Sequence, residues 1–444
     1  MLLIINLLLT LTLSITTASP ISQPIPPTSD PFYTIPPNIE HLPPGTILQH
    51  RQPPSPISAF RILPVNLKST HQILYKTTNT FNNSTATVLT ILIPHNADPS
   101  KILSYQVAED ASFANCAPSY AFQLASATSG PFGTLITQAE LLLVEAALEQ
   151  GWVVIVPDHE GPQGAFLANK LAGHAVLDGI RAALQSSGFT GIQPSASVAL
   201  WGYSGGSVAS SFAAELHAQY APELNIVGVA IGGTVPVIAN ALTTINGGFG
   251  AGLIPPGILG LSYEYPQIRA LVTKHILPQY KESFFKAEKQ CFVADALQFP
   301  FADVFKMVDD ASIFTSEPAA SILRENSLGA NVPRAPMYVY KSIPDETSPV
   351  KDTDDIVEYY CSKGTSVYYS RDTVSEHGSL AVTGAPGALA WLRDMLGGKK
   401  QSGCVTRTVV STLLDPRTLQ IVPKVIVDAL LDLLRKPVGP DFFG

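Results

Sequence analysis

The chain has no run of basic residues. Its 27 Lys and Arg are scattered among 35 Asp and Glu, giving a net charge of −8, so nothing in it tracks a phosphate backbone and no nucleic-acid partner is expected. It also lacks a membrane-spanning segment in the mature chain. The apolar run from Leu2 to about Leu13 falls well short of the ~20 residues a transmembrane helix needs. Small polar residues follow it around Ala18 and Ser19, so residues 1–19 read as a secretory signal peptide, though the usual basic residue near Met1 is missing. Leu224 to Ser262 contains no Asp, Glu, Lys or Arg, yet Asn246, Gly247-Gly248 and Pro255-Pro256 interrupt any long helix there. Cysteines are few: Cys116, Cys291, Cys361 and Cys404, with no two at a metal-ligand spacing. In an oxidising compartment an even set suggests disulfides, for which three pairings exist. No metal or other cofactor is expected.

What is present is apolar mass. With 46% hydrophobic residues in 444, a large core can form without help from cysteines. Prolines crowd residues 20–56, which should form an extended arm over the surface, with regular structure beginning near Leu63. Asn82 and Asn83 open overlapping N-x-S/T sequons in the polar patch TTNTFNNST, candidate glycosylation sites in a secreted chain. Beyond that patch, short β-rich runs (Ala86 to Pro94, Lys101 to Val107, Trp152 to Asp158, Ser197 to Tyr203) alternate with helical stretches such as Thr137 to Gly151 and Leu171 to Ser186. Near-continuous apolar strands separated by helices predict an α/β fold, a mostly parallel sheet covered on both faces. The alternation continues through IVGVAIGG after Asn225, breaks off, and resumes with Ala335 to Asp345 and Ser366 to Ser370. The sequence therefore divides into a core segment 20–233, a helical cap or lid insertion 234–331, and a second core segment 332–444, the last part of which (405–444) is a flap or helix. From composition, the uncharged stretch leading into the insertion is either ordinary core or a cap whose apolar underside covers a lipid-binding cleft.

Gly202-Tyr203-Ser204-Gly205-Gly206 matches G-x-S-x-G. The pentapeptide alone occurs by chance in roughly one chain in seven of this length, but here it joins the strand SVALW to a helical stretch. That is the strained turn of the α/β-hydrolase fold, which exposes a serine hydroxyl as nucleophile. A serine needs a histidine to take its proton and a carboxylate to orient that histidine, in the chain order Ser, acid, His. Only His217, His275 and His377 follow Ser204. His217 lies on the helix that Ser204 launches, and His275 falls inside the insertion, which leaves His377 in the loop DTVSEHGSL. Asp345 follows the strand before it and is the expected acid. Asp372 and Glu376 lie too near His377 in sequence to support its ring, and each is expected to be a solvated loop charge. Two donors must receive the oxyanion: the backbone N–H of Gly205, and one from the loop after Lys101 to Val107. No HGGG string marks that loop, and spacing does not choose among Glu109, Asp110 and Ala111.

The residues carrying this pattern resemble fungal secretory lipases, the family typified by Candida antarctica lipase A. The resemblance runs from about Asp30 to Leu396 through DPFYTIPPNI, YQVAEDASFANCAPSY, PDHEGPQGAF, LDGIRA, GYSGG, YAPELNIVG, NGGFGAG, KSIPDE (similar to HAIPDE) and EHGSLA. It implies a secreted, extracellular α/β-hydrolase with a large helical cap, cleaving acylglycerol esters without a cofactor. By position it implies Ser204, Asp345 and His377 as the triad, Asp110 and Gly205 as the oxyanion hole, and disulfides Cys116–Cys291 and Cys361–Cys404. The cap is only partly similar, so chain-length preference does not transfer. Beyond Gly398 the likeness is slight: Val422 to Pro437 reads as an amphipathic helix where the family has a flap. The expected partners are an ester substrate and, transiently, a lipid–water interface, with the chain a monomer. Two other functions fit the same residues: a soluble carboxylesterase or deacetylase acting on short acyl or secondary-metabolite esters, and a catalytically inactive binding protein.

Overall fold

The structure is a computed structural model, and it describes residues 23–60, 63–127, 132–414, 418 and 436–440. The expected signal peptide, and all but the last two residues of the expected C-terminal helix, lie outside the described residues. Strands are β1 (Ile47–Arg51), β2 (Ser58–Ala59), β3 (Leu63–Pro64), β4 (Ser69–Thr78), β5 (Ser84–Ile93), β6 (Asp98–Gln106), β7 (Trp152–Pro157), β8 (Ser197–Tyr203), β9 (Ile226–Gly232), β10 (Met337–Ser342), β11 (Val367–Asp372) and β12 (Val405–Val409). The helices that matter below are α1 (Leu135–Leu148), α2 (Asn169–Gln185), α3 (Gly205–Tyr220), α4 (Ile238–Ile245), α5 (Ile254–Glu264), α6 (Pro266–His275), α7 (Ala319–Glu325), α8 (Val350–Ser362), α9 (His377–Thr383) and α10 (Ala385–Leu396).

Ten strands form one sheet in the order β1-β4-β5-β7-β6-β8-β9-β10-β11-β12. β1, β4 and β5 pair antiparallel, β5 meets β7 antiparallel, and every pair from β7 to β12 is parallel. Side chains alternate across the sheet with period two. Val198 and Leu200 of β8 join the core under α2, α3 and α8 with Val176, Ile180, Ala213 and Tyr360. Ala199, Trp201 and Tyr203 point the other way, to the core under α1 and α10 with Leu141, Val144 and Trp391. Covering both faces is what makes the parallel strands read as continuous apolar runs.

Two expectations change. Regular structure begins before Leu63, because β1 lies inside the proline-rich arm as an edge strand. Its five residues, ILQHR, contain no proline, and an edge position tolerates the neighbouring ones. His377 is the first residue of α9 rather than part of a loop. Glu376 caps that helix, its side chain accepting from the Ser379 backbone while the Ser379 hydroxyl accepts from the Glu376 N–H.

Between β9 and β10 the chain runs through helices with cores of their own. One gathers Leu259, Phe284, Val304 and Phe314, and another Ile238, Leu261, Ile268 and Ile322. The disulfide Cys116–Cys291 ties this helical segment to the loop after β6, and Cys361–Cys404 ties the end of α8 to the residue before β12. Among the described residues no helix is long and apolar enough to cross a membrane.

Candidate active site

The parallel half of the sheet fixes where its loops emerge. β6, β8, β10 and β11 all end on the same edge, and the segments that follow them carry Asp110, Ser204, Asp345 and, at the start of α9, His377. This carboxyl edge is where α/β sheets place ligands. Ser204 sits between β8 and α3 with φ +50° and ψ −122°, a conformation side-chain-bearing residues rarely adopt. Its N–H continues the parallel pairing by donating to the carbonyl of Gly232 at 2.9 Å. The turn can close only without side chains at its flanks. A Cβ on Gly202 would lie 2.2 Å from the carbonyl oxygen of Gly206, and one on Gly205 would lie 1.9 Å from Asp110 Oδ1.

The structure brings Ser204, His377 and Asp345 together. His377 Nε2 is 2.9 Å from Ser204 Oγ, and His377 Nδ1 is 2.8 Å from Asp345 Oδ2. The backbone around the histidine is held as well: its N–H donates to Glu346 Oε2 at 2.9 Å, and its carbonyl accepts the Tyr203 hydroxyl. Asp345 Oδ1 accepts the N–H groups of Thr347 and Ser348, both at 2.9 Å, so the turn-capping role and the pairing with His377 coexist on one carboxylate. Burial would raise Asp345, but the hydrogen bond and charge of His377 and the ammonium of Lys341 outweigh it and hold the carboxyl well below the usual range.

Of the rivals, Glu376 is exposed and caps α9, whereas Asp372 departs from expectation. It is fully buried, and its carboxylate accepts the N–H groups of Val374, Ser375 and Thr412. The reason is β12, whose pairing with β11 places residue 412 over the strand end. His217 is buried on α3 with Nε2 at the Leu224 carbonyl, and His275 pairs with Asp309.

Among Glu109, Asp110 and Ala111, it is Asp110 that lines the cavity shared with Ser204 and Gly205. Its φ is +46°. Its carboxyl packs against Gly205, whose N–H is the first amide of α3 and has no partner within the helix. Burial pushes Asp110 up to about 7 despite the opposing charge of His377. The backbone N–H groups of Ala111 and Asp110 oppose the rise of the Glu160 carboxyl.

Asp110 belongs to a buried acidic group that the sequence did not announce. Burial raises Glu109 and Glu160 well above the usual range; the charges of Glu160, Asp158 and Asp110 add to the rise of Glu109, and that of Asp110 adds to the rise of Glu160. Burial likewise pushes Asp158 up to about 7 against its bonds to Ser119, and Glu140 up to about 8 against bonds from Tyr105 and Ala108. Carboxyls raised in the folded state stabilise it fully below their unfolded values near 4 and lose that contribution as pH rises through about 7 to 8. His159 and His174, lowered by burial to about 4, act oppositely, and their contribution is lost as pH falls from about 6.5 towards 4. Raising pH from 6 to 9 should therefore cost on the order of several kcal/mol. A thermal melt should show Tm falling steadily over that range, and a flat or rising Tm would contradict the assignment of these carboxyls.

A family model described as secretory lipase matches residues 126–403. The chain belongs to the secretory lipase family. This secretory lipase is 54% identical to Lipase A of Arthroderma benhamiae, over 95% of its own length and 91% of the relative's. It is also 35% identical to a Mycobacterium tuberculosis protein named "Probable inactive lipase", over 89% and 88% of the two chains. The X-ray structure of Candida antarctica lipase A in its closed state superposes with a TM-score of 0.82 at 30% identity, over 94% of this chain and 99% of that one. The fold is that of an α/β-hydrolase. Sequence reasoning missed Lys341, whose buried ammonium lies 2.9 Å from Asp345 Oδ2. Its only signal was a lysine at the end of an otherwise apolar strand.

Proposed function

We propose that this secretory lipase hydrolyses acylglycerol esters through an acyl-enzyme on Ser204. Support comes above all from one juxtaposition: the Ser204 end of the Ser204–His377–Asp345 chain of hydrogen bonds faces a mostly apolar cavity lined by Val235, Ile238, Leu242, Ile254, Ile258 and Leu261 among others. A second apolar cavity shares Leu242, Ile258, Leu261 and Leu323 with the first. An alkyl chain is the ligand such walls suit. Residues 234–331 supply nearly half of the lining of the first cavity and all of that named for the second, and form the cap.

His377 Nε2 takes the proton of Ser204 as Oγ attacks the ester carbonyl, while Nδ1–H donates to Asp345, which stabilises the imidazolium. The oxyanion receives the Gly205 N–H. Asp110 supplies the second donor, from its backbone N–H or from its carboxyl in the protonated form. The imidazolium then protonates the leaving alcohol, and water attacks the acyl-enzyme by the reverse course. Among the described residues no cluster of His, Cys, Asp or Glu is arranged to hold a metal ion.

Each methylene buried contributes about 0.8 kcal/mol. On soluble p-nitrophenyl esters kcat/KM should rise about fourfold per methylene from acetate until the cavity fills, and emulsified long-chain triacylglycerol should be hydrolysed. A maximum at acetate with no triacylglycerol hydrolysis would replace this reading with a short-acyl esterase or deacetylase. Two disulfides and the family's secretory character support an extracellular mature chain. Asn82 and Asn83, exposed in the turn between β4 and β5, would leave a glycan in open solvent.

A further inference from the structure

Lys341 is the penultimate residue of β10, and its side chain is 0% exposed, as is that of Asp345. Burying an ammonium is costly unless its partners repay it. Its Nζ donates to the Thr234 carbonyl at 3.0 Å and to Asp345 Oδ2 at 2.9 Å. That oxygen is the same one that meets His377 Nδ1 at 2.8 Å. One carboxylate oxygen thus lies between two nitrogen donors, the Lys341 ammonium on one side and, in both acylation and deacylation, an imidazolium on the other.

Such sharing has a consequence for catalysis. An unshared carboxylate stabilises the imidazolium with its full charge, which helps the step in which serine loses its proton, but it also invites protons from solvent as pH falls. Once protonated, the imidazole cannot act as base. A cation on the far side of the carboxylate weakens that invitation without moving the hydrogen bond that orients the ring.

We propose that Lys341 is a positioning residue of this site, a buried cation that offsets the pull of Asp345 on the imidazole and so extends the working range to lower pH. This rests on the Ser204–His377–Asp345 reading. The other charged or titratable groups around the pair are Asp352 on α8, which bonds Asn240, together with Glu346 and Glu376 beside the acid and the base, Asp110 from the loop after β6, and Tyr203 at the end of β8. All but the phenol are carboxyls, so Lys341 is the one cation in the group.

The test compares the acid limb of kcat/KM for a soluble p-nitrophenyl ester, each profile normalised to its own plateau, for the unaltered chain, Lys341→Gln, Lys341→Met and Lys341→Arg. Removing the cation should move the midpoint up by about one pH unit. Well below the original midpoint, the neutral variants then lose about tenfold relative to their plateau. Arginine keeps the charge and should keep the midpoint. A merely structural lysine would lower the plateau and leave the midpoint in place, and that result overturns the proposal. It is equally overturned if neither neutral variant folds, since the residue is then a packing requirement. Fluorophosphonate labelling lost in Ser204→Ala tests the underlying reading separately: labelling that depends on Ser204, with a midpoint indifferent to residue 341, removes only the role of Lys341.

Discussion

Ser204→Ala will lower kcat by about 10⁴-fold or more while leaving the fold intact. In the proposed mechanism the hydroxyl is the group that becomes covalently bound, and no neighbouring group can replace it: the imidazole beside it is held by Asp345 on its far nitrogen, so it has no freedom to swing in as nucleophile. Alanine also fits the turn, because the crowding there falls on Gly202 and Gly205 rather than on residue 204. The circular dichroism spectrum and Tm should remain close to those of the unaltered chain. Any residual hydrolysis reflects the oxyanion donors and substrate binding alone. A variant that keeps its fold and more than a few per cent of its turnover would remove the covalent mechanism. It would also leave room for a binding protein on the same fold, a role for which this chain would not need an ordered Ser204–His377–Asp345 chain.

The next largest effect belongs to Asp110. If its protonated carboxyl donates to the oxyanion, Asp110→Leu will lower kcat by about 10²- to 10³-fold, the usual cost of one lost donor. The pH dependence separates this from a backbone role. Burial pushes Asp110 up to about 7, so the donor is present below that value. Above it, the group becomes an anion beside a developing anion. Turnover of the unaltered chain should therefore fall as pH rises through about 7, whereas Asp110→Asn, whose amide donates at any pH, should lose that descending limb. A small effect of leucine and a descending limb that survives asparagine would assign the second donor to backbone instead. With Lys341 proposed to act on the acid limb, and the buried carboxyls, Asp110 among them, favouring the folded state at lower pH, two separate parts of the chain point to operation on the acid side of neutrality.

Much of this was legible in the sequence because the fold uses chain order and spacing directly. A nucleophile at a strand-to-helix turn, an acid after a later strand and a histidine one strand on could each be picked out by elimination, and β8 begins and ends where SVALWGY does. What was not legible depends on contacts between distant segments. β1 and β12 pair as edge strands, and nothing in ILQHR or VTRTV marks them without their partners. Asp372 reads as a loop charge until β12 brings residue 412 against it. Lys341 is ordinary in a strand, and only the loop carrying Asp345 and the carbonyl of Thr234 make its burial tolerable. Spacing alone did not choose Asp110 over its neighbours; the resemblance named it, and in the structure it is Asp110 that lines the cavity.

If His377 makes Ser204 a nucleophile, covalent labelling of the folded chain by a fluorophosphonate, followed by peptide mapping in a mass spectrometer, should give one adduct, on Ser204, with labelling strongly slowed in His377→Ala. An unlabelled chain, or an adduct on another residue, would contradict it.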